Sequence, residues 1–143
     1  MFDGGLIAGG SFLSVIAFGV FSNSDRRGEW VGSAFLMLAY VLNVFVGLFP
    51  YPQPLHTPIA LVQFVLIPVG LLIFGVGSVL RGASRLGGIA VALGIVAVVS
   101  NLWLFSIISA GSEAIALPEL AVVLPLDSWA AMMIWRQYRG KLA

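Results

Sequence analysis

PIALVQFVLIPVGLLIFGVGSVL (58–80) and LGGIAVALGIVAVVSNLWLFSIIS (86–109), joined only by RGASR (81–85), decide the fold of this chain. Neither run contains a charged residue. A helix needs about 20 mostly apolar residues to cross a ~30 Å hydrocarbon core, and both runs are long enough. A connection this short makes the two helices antiparallel neighbours. In lipid every backbone N–H and C=O must be satisfied within its own segment, so helices are expected rather than open strands.

The same pattern extends in both directions. Trp30 to Phe49 and Gly4 to Phe21 are apolar runs on the N-terminal side, and Pro118 to Trp135 is one on the C-terminal side. Short polar, proline-rich or small-residue stretches separate them: SNSDRRGE (22–29), PYPQPLHT (50–57) and AGSEAIAL (110–117). The expected fold is all-α, a polytopic bundle of five antiparallel transmembrane helices near 4–21, 30–49, 58–80, 86–109 and 118–135, forming one domain over 1–143. Composition agrees. The chain is 60% hydrophobic and 9% charged, against roughly 25% charged residues in soluble domains.

Charge placement orients the bundle. Alternating the loops between two sides puts Arg26, Arg27, Arg81, Arg85, Arg136, Arg139 and Lys141 on one side, which is all seven basic residues. Short loops rich in Lys and Arg stay cytoplasmic. The N-terminus is therefore expected outside and the C-terminus in the cytoplasm, in a multi-pass protein of the cell membrane. Trp30, Trp135 and Tyr138 fall near the inner boundary and Tyr51 near the outer one, where amphipathic rings settle. A signal peptide carries its positive charge before the apolar stretch. Here Asp3 precedes and Arg26–Arg27 follow, so a retained first helix is expected.

Polar side chains within membrane helices need a partner or a cavity. Four stand out: Asn43, Gln63, Asn101 and Asp127. At ~1.5 Å per residue all four lie in the outer half or near the midplane. The inner half is expected to hold almost none. The outer loops add His56, Glu113 and Glu119. One reading of this layer is a ligand pocket open to the outside, formed by Asn43, His56, Gln63, Asn101, Glu119 and Asp127. The other is hydrogen-bonded glue between helices, at about 0.6 kcal/mol per bond. Asp127, with no Lys, Arg or His at its depth, is expected to be protonated, or to bond Asn101 or Ser128. Glu119, after Pro118, also suits the positive end of a helix dipole. Gly5, Gly9 and Gly10 form a small-residue face of the kind that lets helix backbones approach, and Gly87, Gly88 and Gly94 offer a second one.

Several activities are excluded. The chain has no cysteine and a single histidine, so thiolate metal sites, disulfides and bis-histidine haem are unavailable. No lysine lies within an apolar run to form a retinal Schiff base. There is no G-x-x-x-x-G-K, H-E-x-x-H or G-x-S-x-G. The dispersed arginines do not suit nucleic acid, but they can meet anionic headgroups. No cofactor, metal or catalytic residue is expected.

Three stretches resemble a known family. MFDGGLIAGG (1–10) is similar to its F-N-x-x-L-x-x-G-type opening. GLFPYPQPLH (47–56) is similar to its G-hydrophobic-F-P followed by histidine, and LPELAVVLP (117–125) fits as well. The family is domain of unknown function 998, a group of uncharacterised polytopic membrane proteins. The resemblance implies six helices, the first preceding the F-N stretch, so this chain is expected to lack that helix. Asp3 stands where the family has Asn. Either the true start lies upstream or the protein is shortened, and in the second case the missing helix would leave a groove for a second copy or another membrane subunit. The resemblance carries no activity.

The preferred functional reading is a small accessory or scaffold subunit acting through helix–helix contacts among membrane lipids, as a homo-oligomer or with a membrane partner. The alternative is a carrier or receptor for a small or lipidic ligand in the outward polar pocket. A third, an intramembrane enzyme using His56 and a carboxylate as acid and base, lacks a nucleophile or metal set.

Overall fold

A computed structural model describes residues 2–24, 27–111 and 116–140. Arg26, Glu113 and Lys141 lie outside the described residues. Five helices account for almost all of the rest: α1 (Phe2–Ser22), α2 (Arg27–Leu48), α3 (His56–Val79), α4 (Ser84–Ser109) and α5 (Ala116–Gly140). Among the described residues there is no strand. All five helices are long and apolar enough to cross a membrane, and the chain is a membrane-type, multi-pass helical bundle.

The apolar runs and the helices coincide closely, and the differences have simple causes. Hydropathy marks where a chain enters lipid, whereas backbone hydrogen bonding continues wherever residues tolerate it. So α5 runs beyond Trp135 through Arg136, Gln137, Tyr138 and Arg139. Its end is tied by Trp135–Tyr138 stacking at 6.4 Å and by the Arg139 guanidinium 4.9 Å over the Trp135 ring. Likewise α2 begins at Arg27, which turns Glu29 from an expected loop residue into a buried helical one. His56 is the first residue of α3 rather than part of the preceding loop.

Glycine sets the spacing of the central helices. A Cβ on Gly28 would lie 2.7 Å from Gly77 Cα, and one on Gly32 would lie 2.5 Å from Phe74 N. The backbones of α2 and α3 therefore touch, as small residues allow in membranes. On the opposite side of α3, Gly75 and Gly87 bring α4 equally close, since a Cβ on Gly87 would lie 2.5 Å from Gly75 O. The turn between α3 and α4 closes because Gly82 takes a left-handed φ of +86°. Ala83 N–H then donates to Ser78 O and Gly82 N–H to Val79 O, both at 3.0 Å. This pair of bonds satisfies the last carbonyls of α3 in the Schellman manner.

α3 is the most buried helix and α1 the least. α1 packs on α2 and touches α5 far less. α5 lies across α3 and α4, with Trp129 edge-on to Phe74 at 5.5 Å. Leu36, Ile67, Leu71, Phe74, Leu126 and Trp129 are completely buried around this contact. The described arginines Arg27, Arg81, Arg85, Arg136 and Arg139 collect at one end of the bundle, which we call the basic end. The opposite end carries the α2–α3 connection and His56.

Candidate functional site

α1 and α5 leave a groove of about 550 Å³ at the His56 end, backed by α2 and α3. Its apolar surface includes Leu6 and Leu13 of α1, Val46 of α2, Phe64 of α3, and Leu120 and Val123 of α5. Five of the six polar residues expected from sequence line it: Asn43, His56, Gln63, Glu119 and Asp127. They descend along it. His56 opens α3, Glu119 lies one turn into α5, and Gln63 is ~10 Å down α3. Asp127 is ~16 Å down α5, about halfway along that helix. Although it sits so deep, Asp127 is exposed, because the groove reaches it.

The hydrogen bonds orient these groups. Gln63 is 1% exposed and its Nε2 donates to Asn43 Oδ1 at 3.1 Å, joining α3 to α2. His56 Nδ1 lies 3.0 Å from Phe49 O. A carbonyl can only accept, so the proton is on Nδ1 and a neutral ring leaves Nε2 as an acceptor. The ring also meets Tyr51 edge-on at 6.1 Å, and Tyr51 and Pro50 form the rim.

Asn101 behaves differently. It does not line the groove. Its Nδ2 donates to Phe64 O at 2.9 Å and to Ala97 O at 3.0 Å. The reason lies four residues beyond Phe64: Pro68 is inside α3 and has no N–H to offer that carbonyl. Asn101 supplies the donor that proline withholds, so this member of the polar layer ties α4 to α3. Its own Oδ1 is buried with no hydrogen-bond partner. Asp127 consequently bonds neither Asn101 nor Ser128. Its hydrogen-bonding neighbour is the hydroxyl of Tyr40 on α2, which donates to Leu126 O at 2.9 Å and stands 3.5 Å from Asp127 Oδ1.

Of the three glycines expected at a helix contact, Gly10 is at one, with Tyr40 O and Val44 N each 3.1 Å from a hypothetical Cβ. Gly5 and Gly9 are not. A Cβ at either would meet nothing within 4 Å, and both border the groove. In α4, Gly87 and Gly94 make close contacts whereas Gly88 faces open space.

The expectation of an apolar inner half is corrected at the basic end. Glu29 is 5% exposed and accepts a 2.9 Å bond from Ser78 Oγ of α3. It borders a smaller cavity of about 240 Å³ with Asn23, Ser24 and Arg136. In the sequence Glu29 adjoins a charged loop and Tyr40 lies in an apolar run, so neither stands out as an intramembrane polar group. Spacing offers a signal for the first: Glu29 lies one position after Gly28, whose backbone touches α3. Among the described residues, no group of three His, Cys, Asp or Glu side chains is placed to hold a metal.

No curated protein and no solved structure matches the chain. A family model described as protein of unknown function (DUF998) matches residues 1–136, nearly its whole length, and the chain belongs to that family.

Proposed function

We propose that the chain is a membrane carrier or receptor that binds a small amphipathic, lipid-like molecule in the groove at its His56 end. The observation that carries this is the make-up of the groove. Apolar side chains form most of it, and a few polar groups from α2, α3 and α5 converge within it, as in small-molecule sites generally. The basic end would face the cytoplasm by the positive-inside rule, which opens the groove to the outside.

Native mass spectrometry of protein released from its own membranes tests this reading. One lipid-like molecule should co-purify at 1:1. Gly9→Trp should remove it, because the groove beside Gly9 has room for the indole and no other role in the core. Absence of any bound molecule, or its retention in Gly9→Trp, would count against the reading.

A second reading is an accessory subunit whose α1 packs on a partner or a second copy. It draws on the open Gly5–Gly9 face and on α1 being the least buried helix. Under that reading the groove excludes lipid, and a cysteine replacing Gly5 crosslinks to another chain in intact membranes.

A further inference from the structure

We propose that the polar head recognised by this groove is a protonated amine; this rests on the groove being a ligand site. The walls of the groove offer more hydrogen-bond acceptors than donors. Asp127 and Glu119 bring carboxylates, and His56 brings Nε2. The Asn43–Gln63 bond uses one N–H of Gln63 and one lone pair of Asn43 Oδ1, leaving Gln63 Oε1, the second N–H of Gln63 Nε2 and Asn43 Nδ2 without a protein partner. None of these atoms is among the sealed, unbonded polar atoms of the core. Acceptor atoms (two carboxylates, His56 Nε2 and Gln63 Oε1) therefore outnumber the donor groups, which are the two carboxamide nitrogens and the Tyr51 hydroxyl. An ammonium group is donor-only, with three N–H bonds to give. It is the complement of such a wall, whereas a phosphate or carboxylate head is not.

Charge gives the same answer. Among the described residues no Lys or Arg lines the groove, and the arginines are all at the opposite end. An anionic head would meet two acidic side chains and no permanent cation. A carboxylate halfway down a membrane helix is costly when ionised and alone. A cation at Asp127 removes that cost, and charge-assisted hydrogen bonds are about twice as strong as neutral ones. At the mouth, Tyr51 presents an exposed aromatic face beside Glu119 and His56, and such faces attract ammonium groups. The apolar chain of the ligand has an exit. α1 and α5 make little contact with one another, and Gly5 and Gly9 leave the α1 edge of the groove bare. The head thus enters past Glu119 toward Asp127 and Gln63 while the tail lies sideways in lipid.

The test is saturable binding of radiolabelled dodecylamine to the full chain in phosphatidylcholine nanodiscs. Dodecanol and dodecyl phosphate, which share its tail, serve as competitors. Dodecylamine should bind saturably and neither competitor should displace it. Asp127→Asn should weaken it about tenfold, the loss of one charge-assisted bond. Asp127→Glu should stay within about threefold of wild type, because it keeps the charge. Glu119→Gln, at the mouth and outside the core, should weaken binding even if Asp127→Asn fails to fold. Phosphatidylethanolamine added to the discs should compete if the natural amine is a lipid headgroup. A lack of competition there, with dodecylamine still bound, points to a free amphiphilic amine; either result supports the amine. Displacement by dodecanol or dodecyl phosphate as effective as by dodecylamine itself would overturn the amine. So would unaltered affinity in both Asp127→Asn and Glu119→Gln. If Gly9→Trp still abolishes binding of those competitors, the groove remains a ligand site and only the identity of the head falls. Absence of any saturable dodecylamine binding overturns the amine directly, while the co-purification experiment judges the groove separately.

Discussion

At the residue scale, the polar side chains within the bundle have two different jobs, and chain position alone does not separate them. Asn101 and Gln63 are both buried carboxamides. Asn101 spends its donors on backbone carbonyls, one of which Pro68 has stripped of its helical partner. Gln63 bonds a side chain at the groove wall. This distinction predicts a coupling. Asn101→Leu should destabilise the protein by about 1–2 kcal/mol, since Phe64 O is then buried without a donor. In a Pro68→Ala background the restored N–H should reduce that cost to about 0.5 kcal/mol or less. A double-mutant cycle of unfolding in detergent measures it, and equal costs in the two backgrounds would remove the link. At the basic end, Ser78→Ala deletes a hydrogen bond to the buried Glu29 carboxylate. It should cost about 1.5 kcal/mol, the usual size for a bond to a charged group, readable from the same denaturation assay.

At the scale of elements, glycines hold α3 at backbone contact with α2 and with α4, while α1 packs on α2 and α5 mainly on α4. Lipid is as apolar as a leucine side chain, so packing at close range rather than hydrophobic exclusion holds these helices together. The consequence is a sharp contrast between glycines. Gly32→Ala places a methyl group against the backbone of Phe74 and should cost about 1–3 kcal/mol by forcing the helices apart. Gly9→Ala meets open space and should change stability by no more than about 0.5 kcal/mol. Thermal unfolding of the two variants side by side distinguishes them. The G-x-x-x-G pattern of α1 was legible in the sequence, but which of its glycines is approached was not. That depends on the rotation of α1 about its axis, which α2 sets through Tyr40 and Val44.

At the scale of the whole molecule, the basic residues and the groove are segregated to opposite ends. The described arginines gather at one end and the groove opens at the other. The chain has no native cysteine, so single cysteines report topology cleanly. With the N-terminus outside, Tyr51→Cys should react with a membrane-impermeant maleimide in intact cells, and Gln137→Cys only after permeabilisation. The reverse pattern would invert the proposed orientation and turn the groove toward the cytoplasm.

Sequence by itself determined the number of helices, their approximate limits, their antiparallel order and the collection of basic residues at one end. Each of these follows from one-dimensional quantities: the length of an apolar run against the thickness of lipid, and the alternation of short loops. The polar residues were also visible, because a carboxamide or carboxylate in an apolar run is conspicuous wherever it points. What only the tertiary structure decided is which of them share a space. Asn43, Gln63 and Asp127 face a common groove while Asn101 turns to α3. Glu29 finds Ser78 at a separation of 49 residues, and Tyr40 finds Leu126 at 86. Those outcomes depend on helix rotation and on which backbones can touch. Close contacts made by glycines fix how α2, α3 and α4 sit against one another, side chains such as Tyr40 and Val44 place α1 and α5, and no single helix contains that information.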